Sequence, residues 1–255
     1  MLKLMCVLAH PDDESLGMGG TLAKYAAEGV ETYVVTATKG ERGRSGSLEP
    51  VSPERVGQLR HAELLAACEE LGVREVSMLG YRDAELDRAD PREAIGKIAA
   101  HIQRVKPDVV LTFGPDGAYG HPDHIAISQF TTAAIMSGAG AHRVSKLYYL
   151  AWQADKWAAY QSALKKLAIV VDGVERQATP WPDWAITTRI DTSDMVAQVW
   201  RAVTCHKSQM STYAQLSQLS AEHHRSLWGS QQFYRAFSLV NGGRAVESDL
   251  FEGLR

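Results

Sequence analysis

The sequence predicts an α/β fold: a mainly parallel sheet flanked by helices, with a small C-terminal accessory layer. Three observations carry this. Apolar runs of strand length recur through the first 150 residues, helical patterns closed by glycine or proline separate them, and residues suited to chemistry cluster where the runs end. Strands covered on both faces by crossover helices are apolar almost throughout rather than alternating. Right-handed crossovers then gather the loops after the strands along one edge of the sheet, where ligands bind.

The elements follow in order. A strand over 4–9 leads into a helix over 15–28, which Gly29 closes as a C-cap. A second strand at 32–37 precedes a helix over 53–71 ending at Gly72, and a third strand at 75–79 precedes a helix over 91–105 that stops before Pro107. A fourth strand at 109–113 is followed by a helix over 123–137 closed by Gly138, and a fifth strand is read at 146–151. Beyond it, helices are expected at 154–167 and 193–207 and strands at 186–190 and 233–240, with Pro180-Trp181-Pro182-Asp183-Trp184 as a rigid loop. The polar, weakly patterned stretch 208–232 is expected to be the mobile segment.

No linker or repeat interrupts this pattern, so residues 1–255 are read as one domain, with 1–150 as the core and 151–255 as accessory elements of it. The formal charge of −3 provides no basic surface for a nucleic-acid backbone, and short runs such as Lys165-Lys166 read as solvated helix charge. Cys6, Cys68 and Cys205 form no C-x-x-C pair; they read as packing residues rather than a disulfide framework or a thiolate zinc site. There is no secretory n-region, and no apolar run reaches the roughly 18 residues of a membrane span. A cytoplasmic protein without membrane or nucleic-acid partners is expected.

The chemistry is concentrated in two clusters more than 100 residues apart. His10-Pro11-Asp12-Asp13-Glu14 leaves the first strand, and His121-Pro122-Asp123-His124 follows the fourth. His10 and Asp13 are three apart where strand turns into helix, so both side chains can face one point, half of a zinc site. His121 and His124 repeat that spacing, with Pro122 at the first turn of a helix; one or both could complete the shell. Three protein ligands leave a position open, the pattern of a catalytic zinc, which acidifies water and polarises a carbonyl.

A neighbouring carboxylate then has one proton to remove. Adjacent side chains diverge, so Asp13 can ligate while Asp12 acts as base. Glu14 is read either as an acceptor orienting His10 or as a cap for the helix. Either cluster alone has an ordinary reading as a helix start; both, each after a predicted parallel strand, argue for a site. Gly17-Met18-Gly19-Gly20 does not form a dinucleotide loop, because His10 to Glu14 fill the strand-to-helix turn and the glycines fall inside the helix.

Taken with Gly117-Ala118-Tyr119-Gly120 ahead of His121, these motifs resemble the PIG-L/LmbE superfamily of zinc-dependent de-N-acetylases. The likeness extends over about 3–150, through Thr38-Lys39-Gly40-Glu41-Arg42-Gly43, Arg60-His61-Ala62-Glu63-Leu64 and Gly80-Tyr81-Arg82-Asp83, with a short later match at His206-Lys207-Ser208-Gln209. The resemblance implies a Rossmann-like core. It also implies Zn2+ on His10, Asp13 and His124, with Fe2+ or another divalent ion accepted by such donors, and Asp12 as general base.

It further implies that His121, held as imidazolium by Asp123, stabilises charge or protonates the leaving amine, and that Tyr119 hydrogen-bonds the oxyanion. Arg60 and Asp83 would hold sugar hydroxyls; read from the sequence alone, Arg60 could instead pair with Glu63 at i, i+3 and Asp83 cap a loop. The expected activity is removal of acetyl from an N-acetylglucosamine-type sugar or conjugate, with a small-molecule substrate and a homo-oligomer as an option. Alternatives are hydrolysis of a sugar-thiol conjugate amide and a catalytically silent metal-containing binding protein. Arg42 and Arg44 are left outside the site, and Trp181, Trp184, Tyr213 and Trp228 are candidates for stacking on a sugar.

Overall fold

The computed structural model describes residues 1–46, 50–138, 140–164 and 168–255. Five parallel strands lie in the order β3-β2-β1-β4-β5, and β9 and β8 extend the sheet beyond β5. β1 (Lys3–Leu8), β2 (Glu31–Thr38), β3 (Glu75–Tyr81), β4 (Val109–Phe113) and β5 (Lys146–Leu150) all fall where the sequence predicts strands. So do the helices α1 (Asp13–Ala27), α2 (Pro53–Glu70), α3 (Pro91–Val105) and α5 (Pro122–Met136); α4 is a single turn, Gly117–Gly120, in the loop after β4.

Strand order turns back between β1 and β4, which pair in parallel on opposite sides of the first crossover. That switch opens a crevice beyond their C-terminal ends, and both motif clusters leave those two ends. Leu4, Met5, Cys6, Val7 and Leu8 of β1 are all fully buried, as the unbroken apolar run requires of a central strand.

The C-terminal accessory elements attach directly to the core sheet. β8 (Thr188–Asp191) and β9 (Ser230–Ser238) run antiparallel and join the main sheet through β5, whereas β6 (Ala168–Val171) and β7 (Val174–Gln177) form a two-stranded hairpin that the sequence had not indicated. α6 covers Ala154–Leu164; the remainder of the predicted helix, with Lys165-Lys166, lies outside the described residues. With α7 (Val196–Cys205), α8 (Met210–Tyr213) and α9 (Ala221–Trp228), α6 builds a second apolar cluster around Tyr160, Val199, Leu216 and Trp228.

The stretch expected to be mobile, 208–232, therefore contributes buried Ser208, Tyr213, Leu216, Leu227 and Trp228. Its few apolar residues are spaced across short turns rather than at a helical period, so no pattern announces them. The glycines of α1 also find their reason here. A Cβ on Gly20 would sit 2.7 Å from that of Thr192, and one on Gly19 would sit 3.3 Å from Val199, so they let α1 pack closely on the C-terminal elements.

Candidate active site

β1 delivers His10 to the crevice and α1 begins at Asp13, so the reversal between them is made by Pro11 and Asp12. Asp12 makes it with φ at 111°, a left-handed backbone that a non-glycine residue adopts only when its surroundings enforce it. That twist separates the two carboxylates. The Asp13 side chain turns back, with Oδ2 accepting the His10 and Ala9 backbone N–H groups at 2.8 and 3.2 Å. Asp12 points elsewhere, toward Arg60 and Tyr213.

His124, near the start of α5, brings Nε2 to 3.2 Å from His10 Nδ1 and 3.5 Å from Asp13 Oδ1, while His10 Nδ1 lies 3.7 Å from Asp13 Oδ2. Donors about 2.1 Å from a tetrahedral zinc lie about 3.4 Å apart, so these separations fit one cation. All three side chains are buried or nearly so. Burial pushes the Asp13 carboxyl up to about 7, His10 opposing it; a cation among these donors would reverse that rise.

The far side of His10 is equally ordered. Its Nε2 is 3.1 Å from Asp123 Oδ2 and 3.2 Å from Asp83 Oδ1. Burial by itself lowers the imidazole, but the Asp123 and Asp83 hydrogen bonds overcome it and raise His10 to about 10. Carboxylates behind a histidine fix its tautomer and aim its other nitrogen, here Nδ1, at the donor cluster.

This corrects the expected partner of Asp123. Its carboxylate does not hold His121: it accepts the backbone N–H groups of Ala84 and Leu86 and faces His10. His121 is instead the N-cap of α5, its Nδ1 accepting the Asp123 backbone N–H at 3.2 Å. Burial, then the charge of His10, lowers it to about 4, so the expected imidazolium is not supported. Donor atoms of His10, His121 and His124 do lie within 4.8 Å of one another, as do those of His10, Asp83 and Asp123. But with Nδ1 accepting, the neutral His121 ring carries its proton on Nε2, which makes that nitrogen a donor and disfavours it as a metal ligand.

Asp12 Oδ2 accepts from Arg60 Nη2 at 2.9 Å and from the Tyr213 hydroxyl at 2.7 Å. Its other oxygen makes no hydrogen bond among the described residues. Arg60, from α2, is only 4% exposed, and its remaining bonds go to the Gly40 and Pro11 carbonyls. A Cβ on Gly40 would lie 2.1 Å from the guanidinium, so the glycines after β2 admit this arginine. Arg60 thus fastens Asp12 while also lining the pocket over the site. It does not pair with Glu63, which holds the backbone N–H and hydroxyl of Ser208.

Glu14 takes the helix-start role rather than orienting His10: it is fully buried and accepts from the Asp12 backbone N–H, Ser15 and His206. Burial raises its carboxyl, but His206, 2.7 Å away, outweighs this and leaves it below its usual range. Asp83 follows β3 and accepts the Arg42 backbone N–H. Burial opposes its ionisation, yet the His10 hydrogen bond prevails and holds it at about 2. Tyr119 sits on α4 next to Ala118, whose φ is 63°, with its ring edge-on to His121 and His124.

A cavity of about 380 Å³ opens over these groups, lined by His10, Asp12, Asp13, Asp83, Tyr119, His121 and His124. Arg42, set aside on sequence, lines it too. Of the aromatic candidates only Tyr213 does: Trp228 is fully buried, Trp184 is 87% exposed, and Trp181 packs on Tyr234. The aromatic rings that sequence reasoning missed at this pocket are Trp152, Tyr160 and Phe113, the last stacked on His124. Tyr213 as a partner of Asp12 was missed as well; its only signal was nearness to the His206-Lys207-Ser208-Gln209 match.

The family described as GlcNAc-PI de-N-acetylase, PIG-L, matches residues 5–135. A 1D-myo-inositol 2-acetamido-2-deoxy-alpha-D-glucopyranoside deacetylase of Actinosynnema mirum is 36% identical over 237 residues, covering 83% of this chain and 82% of its own. Among solved structures, a conserved protein of Thermus thermophilus superposes with a TM-score of 0.65 at 26% identity, over 95% of this chain and 98% of its own. A 4-carboxy-2-hydroxymuconate hydratase of Pseudomonas putida superposes at 0.71 with 19% identity, over 96% and 100%. The last likeness is one of fold, and a hydratase on this fold shows that chemistry has to be argued from the site.

Proposed function

Because the chain belongs to the GlcNAc-PI de-N-acetylase (PIG-L) family, we propose that it is a metal-dependent hydrolase removing acetyl from an N-acetylglucosamine-type amino sugar or sugar conjugate. The observation that carries this is the donor triangle of His10, Asp13 and His124 set beside a carboxylate, Asp12, that is held apart from it. His10, Asp13 and His124 would hold the ion, with Zn2+ suited to mixed imidazole and carboxylate donors and Fe2+ as the alternative. When bound, such an ion polarises the amide carbonyl and acidifies water.

The chain's own groups do the rest. Asp12 uses its free Oδ1 to take the proton from water as the water oxygen adds to the amide carbon. Arg60 and Tyr213 keep Oδ2 occupied, so the carboxylate cannot rotate away. His121 Nε2–H and the Tyr119 hydroxyl line the pocket as donors to the oxygen that gains charge. With His121 neutral, Asp12 returns the proton to nitrogen as the C–N bond breaks, releasing amine and acetate. Asp83 and the Arg42 side of the pocket face the sugar hydroxyls.

We place this activity in a single domain in the cytoplasm; no helix among the described residues is long and apolar enough to cross a membrane. An amine-release assay over N-acetylglucosamine conjugates, run with metal-free protein and with defined Zn2+ or Fe2+, tests the reading. Metal-dependent release is expected. Protein that binds neither ion and releases no amine in their presence overturns it.

A further inference from the structure

The pocket has two chemically different ends. β3 and β2 lie on one side of β1, and β4 and β5 on the other, so the loops bearing Arg42 and Asp83 and the strand end bearing Leu150 and Trp152 flank the donor cluster from opposite sides. The first end is charged. The second is apolar, formed by Leu16, Leu150, Trp152 and Tyr160.

The apolar wall is built rather than incidental. Tyr160 donates its hydroxyl hydrogen to the Leu16 carbonyl at 2.5 Å and accepts from Trp228 Nε1 at 3.2 Å, so its polar tip is satisfied. Its ring stacks on Trp152 with centroids 4.5 Å apart. What these residues present to the pocket is therefore hydrocarbon and aromatic surface, far more than one methyl group needs.

We propose, on the basis of the hydrolase reading above, that this wall is an acyl subsite and that the enzyme hydrolyses N-acyl amino sugars whose acyl chain is longer than acetyl. A secondary amide is trans, which directs the sugar and the acyl chain away from the reacting C–N bond in opposite directions. With the sugar hydroxyls at the Asp83 end, the chain runs toward Leu16 and Trp152. The reaction needs only water: its oxygen joins the acyl carbon, the C–N bond breaks, nitrogen gains a proton, and the products are an amino sugar and an aliphatic carboxylate.

The test is kcat/KM for glucosamine conjugates sharing one aglycone and carrying N-acetyl, N-butanoyl or N-hexanoyl groups, in the wild type and in Trp152→Ala. In the wild type, kcat/KM is expected to rise about threefold to fourfold per added methylene. In Trp152→Ala the hexanoyl-to-acetyl ratio is expected to fall about tenfold through lost contact. Acetyl removal that outpaces hexanoyl removal overturns the acyl subsite and leaves the deacetylase reading standing; no release from any conjugate overturns both. A rising wild-type series with an unchanged ratio in folded Trp152→Ala overturns the assignment to this wall, and Leu16→Ala provides the same ratio test should Trp152→Ala not fold.

Discussion

Two buried polar clusters lie at opposite ends of β5, and they are built on different principles. At its first residue, Lys146 meets Glu247, which also accepts from Arg235, Tyr148, Thr188 and Asn241 at 2.7 to 2.8 Å. Every charge there has a partner of opposite sign or a donor. Past its last residue, the pocket brings His10, His121 and His124 together with Asp12 and Asp13, like beside like.

The contrast also appears in titration. Burial opposes ionisation of Glu247, but its side-chain donors, Asn241 and Lys146 foremost, overcome it and hold the carboxyl at about 2, whereas burial wins at Asp13 and raises it to about 7. Asp12, Ala84 and Ala118 take positive φ beside the pocket, while at the other edge Lys106 takes it as the C-cap of α3. A satisfied cluster locks the sheet to the C-terminal segment; crowded titratable groups with shifted ionisation mark a candidate site.

Breaking the donor triangle should have the largest effect. His10→Ala and His124→Ala are expected to lose both metal, read by elemental analysis, and amine release. If either variant retains full metal content, the ligand assignment fails. Asp12→Asn comes next, with a loss of about 10²- to 10⁴-fold in kcat at unchanged metal content. Near-normal turnover in that variant would remove Asp12 as the base.

Glu247→Gln tests the other cluster. It leaves Lys146 and Arg235 buried with one formal anion fewer, an expected loss of about 3 kcal/mol in denaturant unfolding, while turnover per folded molecule is retained. The pH dependence sharpens this. Because the folded carboxyl titrates at about 2, below its ordinary 4.5, its contribution is complete above pH 4.5 and is lost as pH falls toward 2. The stability gap between wild type and Glu247→Gln should therefore close over that window, and a gap persisting at pH 2 would contradict the account.

Tyr213→Phe should have the smallest effect. Removing one of the two hydrogen bonds on Asp12 Oδ2 is expected to lower kcat about fivefold to tenfold, with metal content and KM little changed. A larger loss that tracked metal would make Tyr213 part of the metal site instead.

The parallel half of the fold was legible because β1 to β5 are largely apolar runs separated by helices with clear ends. Both halves of the site were legible for the same reason: a strand end marks the active edge of such a sheet, so His10 and Asp13 could be brought together with the His121 and His124 pair before any contact was known, while the choice of His124 as the third ligand came from the family resemblance. The hold of Arg60 on Asp12 was not legible because its motif shows a charged residue on a helix but not the cleared space over Gly40 into which it reaches. Glu14 and His206 are 192 positions apart, and nothing local in either announces the other. The 208–232 stretch looked mobile because its buried residues follow short turns rather than a period.

The sequence by itself determined the order of elements in the parallel half, the crevice edge and the residue types gathered there, since periodicity and strand-end position are local properties of the chain. Only the tertiary structure decided which group each residue serves: Asp123 behind His10, Arg60 and Tyr213 on Asp12, β8 and β9 on the sheet edge, and an apolar wall across from Asp83. Those assignments rest on distances between segments far apart in the chain, and such distances are set by packing the whole molecule at once.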